Sequence, residues 1–242
     1  LIVSILALSA FSIQADGVNL TCAPYQPLCV NCPEYQTLFP LESFADDPES
    51  LDIEADESEI IEHCKVIADK IPLVGFYLQP SIGGLTLSAN FWRQFCEIEN
   101  VVAIKIAPFN RYRTLDVIRG VFLAKAEHRI SLYTGNDDNF VLDLITPYEF
   151  KRNEDTITLR IVGGLLGHWA VWVKGAVAIL QICKKGKLDN KLLALHGKVT
   201  DCNAAIFDVP NNFRGCIPGV HEILRRQELK SKQERVVLLR GQ

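Results

Sequence analysis

Residues 101–107 read Val-Val-Ala-Ile-Lys-Ile-Ala. Six of the seven are apolar and four are β-branched, which suits a strand covered on both faces rather than one with a wet side. Lys105 breaks the pattern. An ammonium group in such a run is costly to bury unless it is paired or neutral. One reason for its presence is catalytic: desolvation lowers the pKa of the amine, and the free amine attacks a carbonyl to form a Schiff base. The alternative is a lysine at a strand end whose head group reaches solvent along its own stem.

The flanking sequence extends the pattern. Asp56 to Lys70 has an acidic first turn and Ile60, Ile61, Cys64, Ile67 and Ala68 at helical spacing. A strand is expected over Leu73–Leu78, closed by Gln79-Pro80 and Gly83-Gly84, then a helix with Phe91, Trp92 and Phe95 on one face. Beyond residue 107, a helix is expected from Thr114 to Lys125, a strand from Ile130 to Thr134 and another from Thr158 to Val162. Short apolar strands alternating with amphipathic helices indicate βαβ units and a parallel sheet, hence an α/β fold. After Gly167 the pattern is helical, over about 168–184, 190–203 and 218–229. The chain therefore divides into an N-terminal segment (1–56), βα units (57–167) and C-terminal helices (168–242).

Several polar groups fall where strand-end loops are expected. Tyr77, near the end of its strand, could relay protons if its hydroxyl comes within hydrogen-bond reach, or sit in the core bonded to a backbone carbonyl. The turn Gly135-Asn136-Asp137-Asp138 could hold a polar substrate or cap the next helix. Gly163 and Gly164, in the Val162–Gly167 turn, permit close approach of a ligand to the backbone. His168 is either an acid/base or part of the next helix's first turn. Arg111 and Arg113 could bring a guanidinium to a carboxylate, or simply face solvent.

The chain has 242 residues, 48% hydrophobic and 22% charged, with a net charge of −4. This is an ordinary globular balance, and neither a nucleic-acid nor a membrane partner is expected. Among eight cysteines, Cys22, Cys29 and Cys32 crowd into a Pro-rich segment. They lack a convincing fourth ligand, so no metal is expected. Leu1–Ala15 looks like the apolar and cleavage regions of a secretory signal, without a basic start, and Asn19-Leu20-Thr21 fits a glycosylation acceptor. A buried strand followed by a loop explains the same residues.

The motifs in order carry a resemblance. Phe76-Tyr77-Leu78-Gln79-Pro80 with Gly83-Gly84, Ala103-Ile104-Lys105, Leu132-Tyr133-Thr134-Gly135-Asn136-Asp137-Asp138 and the Gly-rich turn to Gly167 resemble the dihydrodipicolinate synthase/N-acetylneuraminate lyase superfamily. More narrowly, they resemble a divergent branch known only as dihydrodipicolinate synthase family proteins. The resemblance runs from about Ile60 to Glu228. It implies a (β/α)8 TIM-type barrel with a C-terminal helical extension and a lysine that forms an imine with a 2-oxo acid such as pyruvate. By position, Lys105 is that lysine and Tyr77 the proton-relaying tyrosine. Gly135, Asn136 and Asp137 match the turn beside the substrate, and Val162, Gly163 and Gly164 match the last strand segment near the lysine. No cofactor is implied beyond the covalent imine. A small-molecule 2-oxo acid substrate, a homo-oligomer and a cytoplasmic location are implied, with secretion as the alternative if Leu1–Ala15 is a signal.

Two departures qualify the resemblance. Where dihydrodipicolinate synthases carry an arginine after the tyrosine motif, this chain has Ile82, which argues against that particular synthesis. Upstream, residues 1–56 show no version of the family's hydroxyl-bearing Gly loop, so the barrel is expected to be incomplete at its N-terminal side. Two functions follow as expectations: a class I lyase or aldolase, or a catalytically inactive barrel acting as an interaction or assembly module, since unpaired strand edges favour association.

Overall fold

The acidic pair Glu57 and Glu59 opens helix α1 (Glu57–Ala68), which buries Ile60, Ile61, Cys64 and Ala68 as the spacing predicts. The computed structural model describes residues 57–227. The signal-like start, the Asn19 acceptor, the expected N-terminal segment and Cys22, Cys29 and Cys32 lie outside the described residues. Strand β1 (Leu73–Leu78) follows, then a 3-10 turn over Pro80–Ile82 and helix α2 (Ala89–Glu97). Ser88 caps α2 by accepting from the Phe91 N–H at 3.0 Å. Ser88 also donates its own N–H and hydroxyl to the two Glu57 oxygens, each at 2.6 Å, so a helix start in one unit is tied to the next.

Strand β2 (Val101–Ala107) has the expected bounds. Helix α3 (Arg111–Leu123) begins three residues earlier than the apolar spacing predicts. Asn110 supplies the cap, accepting from the N–H groups of Tyr112 and Arg113, which lets the polar turn Arg111–Arg113 join the helix. Strand β3 (Ser131–Thr134) leads to a short helix α4 (Phe140–Ile145).

The expected strand over Thr158–Val162 is in fact parts of two. Strands β4 (Tyr148–Arg152) and β5 (Asp155–Leu159) form an antiparallel hairpin, and β6 (Ile161–Gly164) joins the parallel sheet. Apolar content runs across the junction at Arg160 and hides the change of direction. The hairpin docks on α3: Phe150 stacks on Phe122 at 4.8 Å between centroids, and Arg152 pairs with Glu127 at 2.5 Å. The following helical run is also broken, at Trp172, into α5 (Gly167–Val171) and α6 (Val173–Lys184). Helices α7 (Asn190–Ile206) and α8 (Cys216–Arg226) complete the described chain.

The main sheet is parallel, in the order β1-β2-β3-β6. Its register decides which side chains share a face. Phe76 pairs with Lys105, Lys105 with Tyr133, and Tyr133 with Gly163. Partners in a parallel ladder point to the same side, and neighbours along a strand point to opposite sides. The other face belongs to the helices: a Cβ on Gly75 would lie 2.7 Å from Phe95 of α2, and Tyr77 packs on Trp92 with centroids 4.9 Å apart. Phe91, Trp92 and Phe95 are all buried there, as their spacing predicts. Burying aromatics of this size contributes on the order of 2–3 kcal/mol each, so this layer is a major source of stability.

Among the described residues, no helix is long and apolar enough to cross a membrane, and no group of three or more His, Cys, Asp or Glu side chains could hold a metal ion.

Candidate active site

Lys105 lies near the C-terminal end of β2, and it is half-buried. Its stem passes close under the turn after β3. A Cβ at position 135 would stand 2.8 Å from Lys105 Cε and 2.7 Å from Ala107 Cβ, so Gly135 leaves the space that the stem occupies. The amine Nζ sits 4.0 Å from the centre of the Phe76 ring. That ring face favours the ammonium form by roughly 0.5–2 kcal/mol. Burial acts the other way: desolvation holds the Lys105 pKa below the ordinary lysine value, although the Asp137 carboxylate pulls it back up.

Asp137 is the acid coupled to this amine. Burial pushes its carboxyl up to about 7, opposed by the His168 N–H and by the charge of Lys105. Its Oδ1 accepts from the His168 N–H at 3.3 Å. Among the described residues, Oδ2 has no hydrogen-bond partner. The neighbouring Asp138 carboxyl is also raised by burial, and Arg111, 3.5 Å away, counters that shift.

The turn that carries Asp137 is held by a buried network. Asp143, only 1% exposed, accepts from Thr134 Oγ1 at 2.6 Å, Asn136 Nδ2 at 2.9 Å and Asn139 Nδ2 at 2.7 Å. Thr134 Oγ1 in turn accepts from the Asn136 N–H, and Asn136 Oδ1 accepts from the Phe109 N–H at the end of β2. Asn136 is fully buried, and its side chain braces the loops. The C-terminal helices close the network from above. Asn203 of α7 donates to the Asp137 carbonyl at 2.7 Å, and Thr200 donates to that of Asp138 at 2.8 Å.

His168 belongs to the same bracing. Its Nδ1 is 2.6 Å from Asn203 Oδ1. Because the Asn203 amide nitrogen is committed to Asp137, its oxygen must accept, which puts the proton on His168 Nδ1. Desolvation also lowers the His168 pKa, so the ring is kept neutral in the first turn of α5.

The expected site residues do not all converge. Gly135 lies against the Lys105 stem, and Asp137 acts on the amine through its charge. Gly163 shares its face, and a Cβ there would be 3.1 Å from the Tyr133 ring. Val162 alternates to the opposite face and is 48% exposed. A Cβ on Gly164 would meet the Trp169 ring at 2.9 Å, so this glycine admits an indole rather than a ligand. Tyr77 is 1% exposed and lies on the helix face, with its hydroxyl 3.4 Å from the Leu87 carbonyl and 3.3 Å from the Leu87 N–H. The structure therefore does not bring the Tyr77 phenol and the Lys105 amine together. Residues that sequence reasoning passed over are Asp143, Thr200 and Asn203. The one available signal was a lone Asp inside the apolar run Phe140–Ile145.

No family model matches the chain. Over 84 residues it is 38% identical to a 4-hydroxy-tetrahydrodipicolinate synthase from Clostridium novyi (strain NT). That match covers 34% of this chain and 26% of the clostridial enzyme, so the chain spans about a quarter of the relative it matches. It gives partial support to kinship with that lyase family.

Proposed function

We propose that this protein is a Schiff-base-forming lyase or aldolase, in which Lys105 condenses with a 2-oxo acid such as pyruvate. The observation that carries the reading is the amine itself. It is half-buried against Phe76, its pKa is held down by desolvation, and it is set beside a glycine turn that leaves space for its stem. A depressed pKa raises the fraction of free amine near neutrality, and the free amine is the nucleophile. The partial similarity to a 4-hydroxy-tetrahydrodipicolinate synthase supports the same class of chemistry. The sequential strand order β1-β2-β3-β6, all parallel and joined through helices or a hairpin, is that of consecutive units in a (β/α)8 barrel, whose C-terminal strand ends carry the chemistry.

In this mechanism Nζ attacks the keto carbon, the carbinolamine loses water, and the resulting iminium acts as an electron sink. Loss of a proton from the adjacent carbon then gives an enamine, which forms a carbon–carbon bond with a second carbonyl or is the product of cleaving one. The site uses no cofactor beyond the covalent imine. The test is borohydride reduction after incubation with pyruvate and a panel of 2-oxo acids, read by intact mass. A reduced adduct is expected on the wild type and not on Lys105→Ala. Absence of any adduct from a folded wild-type sample would overturn the reading.

A second reading, an assembly module without catalysis, draws on the sheet edges. Among the described residues, β1 and β6 each pair on one side only. Parallel edges of this kind are templates for pairing with another chain. Concentration-dependent oligomers in sedimentation, together with no adduct, favour it.

A further inference from the structure

We infer that Asp137 is the proton carrier for the Lys105 amine: it donates the proton that expels water from the carbinolamine, then takes one from the carbon next to the imine. The inference rests on the lyase reading above and assigns a role that reading leaves open. Dehydration of a carbinolamine needs an acid within hydrogen-bond reach. The expected donor, Tyr77, has its hydroxyl against Leu87 on the far face of the sheet.

Three observations favour Asp137 for this role, in which it would serve the carbinolamine oxygen rather than touch the resting amine. First, it sits two residues after Gly135, the residue that lies against the Lys105 stem. Second, it is held rather than loose. Oδ1 is held by the His168 N–H and its own carbonyl by Asn203 Nδ2, while Oδ2 keeps no partner among the described residues. Third, the two groups sense one another electrostatically, each pulling the other toward its charged form. The other titratable groups around Asp137 are consistent with an acid that keeps a substantial protonated fraction near neutrality. Asp138 repels its ionisation. Cys216 on α8 is kept a thiol by burial and by Asp137 itself. The His168 ring is neutral, with its Nδ1 proton given to Asn203.

The charges balance through the cycle. A neutral amine and a neutral carboxylic acid meet the 2-oxo acid. The N–C bond forms, the carbonyl oxygen leaves as water with the Asp137 proton, and an iminium cation remains beside an Asp137 carboxylate. That carboxylate then removes a proton from the adjacent carbon, which gives the enamine and restores the neutral acid. No oxidant, reductant or metal is needed. Opposite charges appear together in a partly desolvated place, where their attraction offsets the cost of forming each.

The test uses Asp137→Asn and Asp137→Glu in the full chain with two readouts. Asparagine keeps an acceptor for the His168 N–H, so a purely structural role is largely preserved, while the acid is lost. The rate of borohydride-trappable imine formation with pyruvate is expected to fall about 10²–10⁴-fold in Asp137→Asn, the usual span for general acid–base catalysis, and to recover in part in Asp137→Glu. The second readout is the pH profile of Lys105 acylation by an amine reagent, followed by peptide mass spectrometry. Removal of the carboxylate is expected to shift that profile to lower pH, making the amine more reactive although imine formation is slower. Trapping in Asp137→Asn at the wild-type rate overturns the role of Asp137 and leaves the lyase reading standing. An unshifted acylation profile overturns the coupling. A wild type that traps no 2-oxo acid overturns the lyase reading and this role with it. If Asp137→Asn does not fold, Asp137→Glu decides alone: it must trap with a shifted pH profile, and an unchanged one counts against the proposal.

Discussion

The Cε of Lys105 lies 2.8 Å from the point where residue 135 would carry a Cβ, so the missing side chain at 135 is what admits the lysine stem beneath the turn. The same point is 2.7 Å from the Cβ of Ala107, which is fixed to β2 and cannot swing aside. Gly135→Ala is therefore expected to displace the amine as well as strain the turn. The overpacking should cost roughly 1–3 kcal/mol. Urea unfolding measures that cost, and the yield of borohydride-trapped adduct, expected to fall at least about tenfold for a misplaced amine, measures the displacement.

Tyr77 offers a contrast. Its hydroxyl donates to and accepts from the backbone of Leu87, within a buried pocket beside Trp92. Tyr77→Phe should lose about 1 kcal/mol of stability, the net value of such bonds, and should trap pyruvate at close to the wild-type rate. A trapping rate lower by two orders of magnitude would instead make Tyr77 the relay that the family resemblance implies.

Asp143 sits in the core with three donors converging on it, from Thr134, Asn136 and Asn139. Truncation to Ala leaves those donors buried without an acceptor. Asp143→Ala is expected to destabilise the fold by about 2–5 kcal/mol, more than a typical point substitution. The turn at 135–139 should loosen with it, read as faster amide exchange at Asn136 and Asn139.

Stability should also carry the signature of Asp137. Its pKa rises from the ordinary 3.8 to about 7 on folding, because burial favours the neutral acid. The folded state therefore holds the proton more tightly than the unfolded chain. The stabilisation is complete below the unfolded value and fades as pH climbs through about 7. The melting temperature of the wild type minus that of Asp137→Asn should fall from pH 4 to pH 8. A difference that is flat or grows over that window would contradict the assignment.

Much of the framework could be read from local pattern. Leu73–Leu78 and Val101–Ala107 stand where their apolar runs put them, and Phe91, Trp92 and Phe95 face the core at helical spacing. Composition misled where two elements of like texture abut: Thr158 and Leu159 end a hairpin arm, while Ile161 begins a parallel strand. Nothing in a run of apolar residues marks the direction of the strand. Trp172 likewise interrupts a helix with a backbone at φ −133° and ψ 50°, which no propensity in that stretch announces.

The amino-acid order by itself determined that Lys105 stands in a buried strand and that Phe76 and Tyr77 must take opposite sides of theirs, because strand side chains alternate. Only the folded sheet decided which of the two shares a face with the lysine. That choice depends on the register of β1 against β2, where Phe76 pairs with Lys105, and register is set by the contacts of whole layers. The same holds for Asp137 and Asp143. Both are short acids near one turn, and burial against α5 and α7 or within the core, more than residue type, separates the acid coupled to the amine from the one that braces the loop.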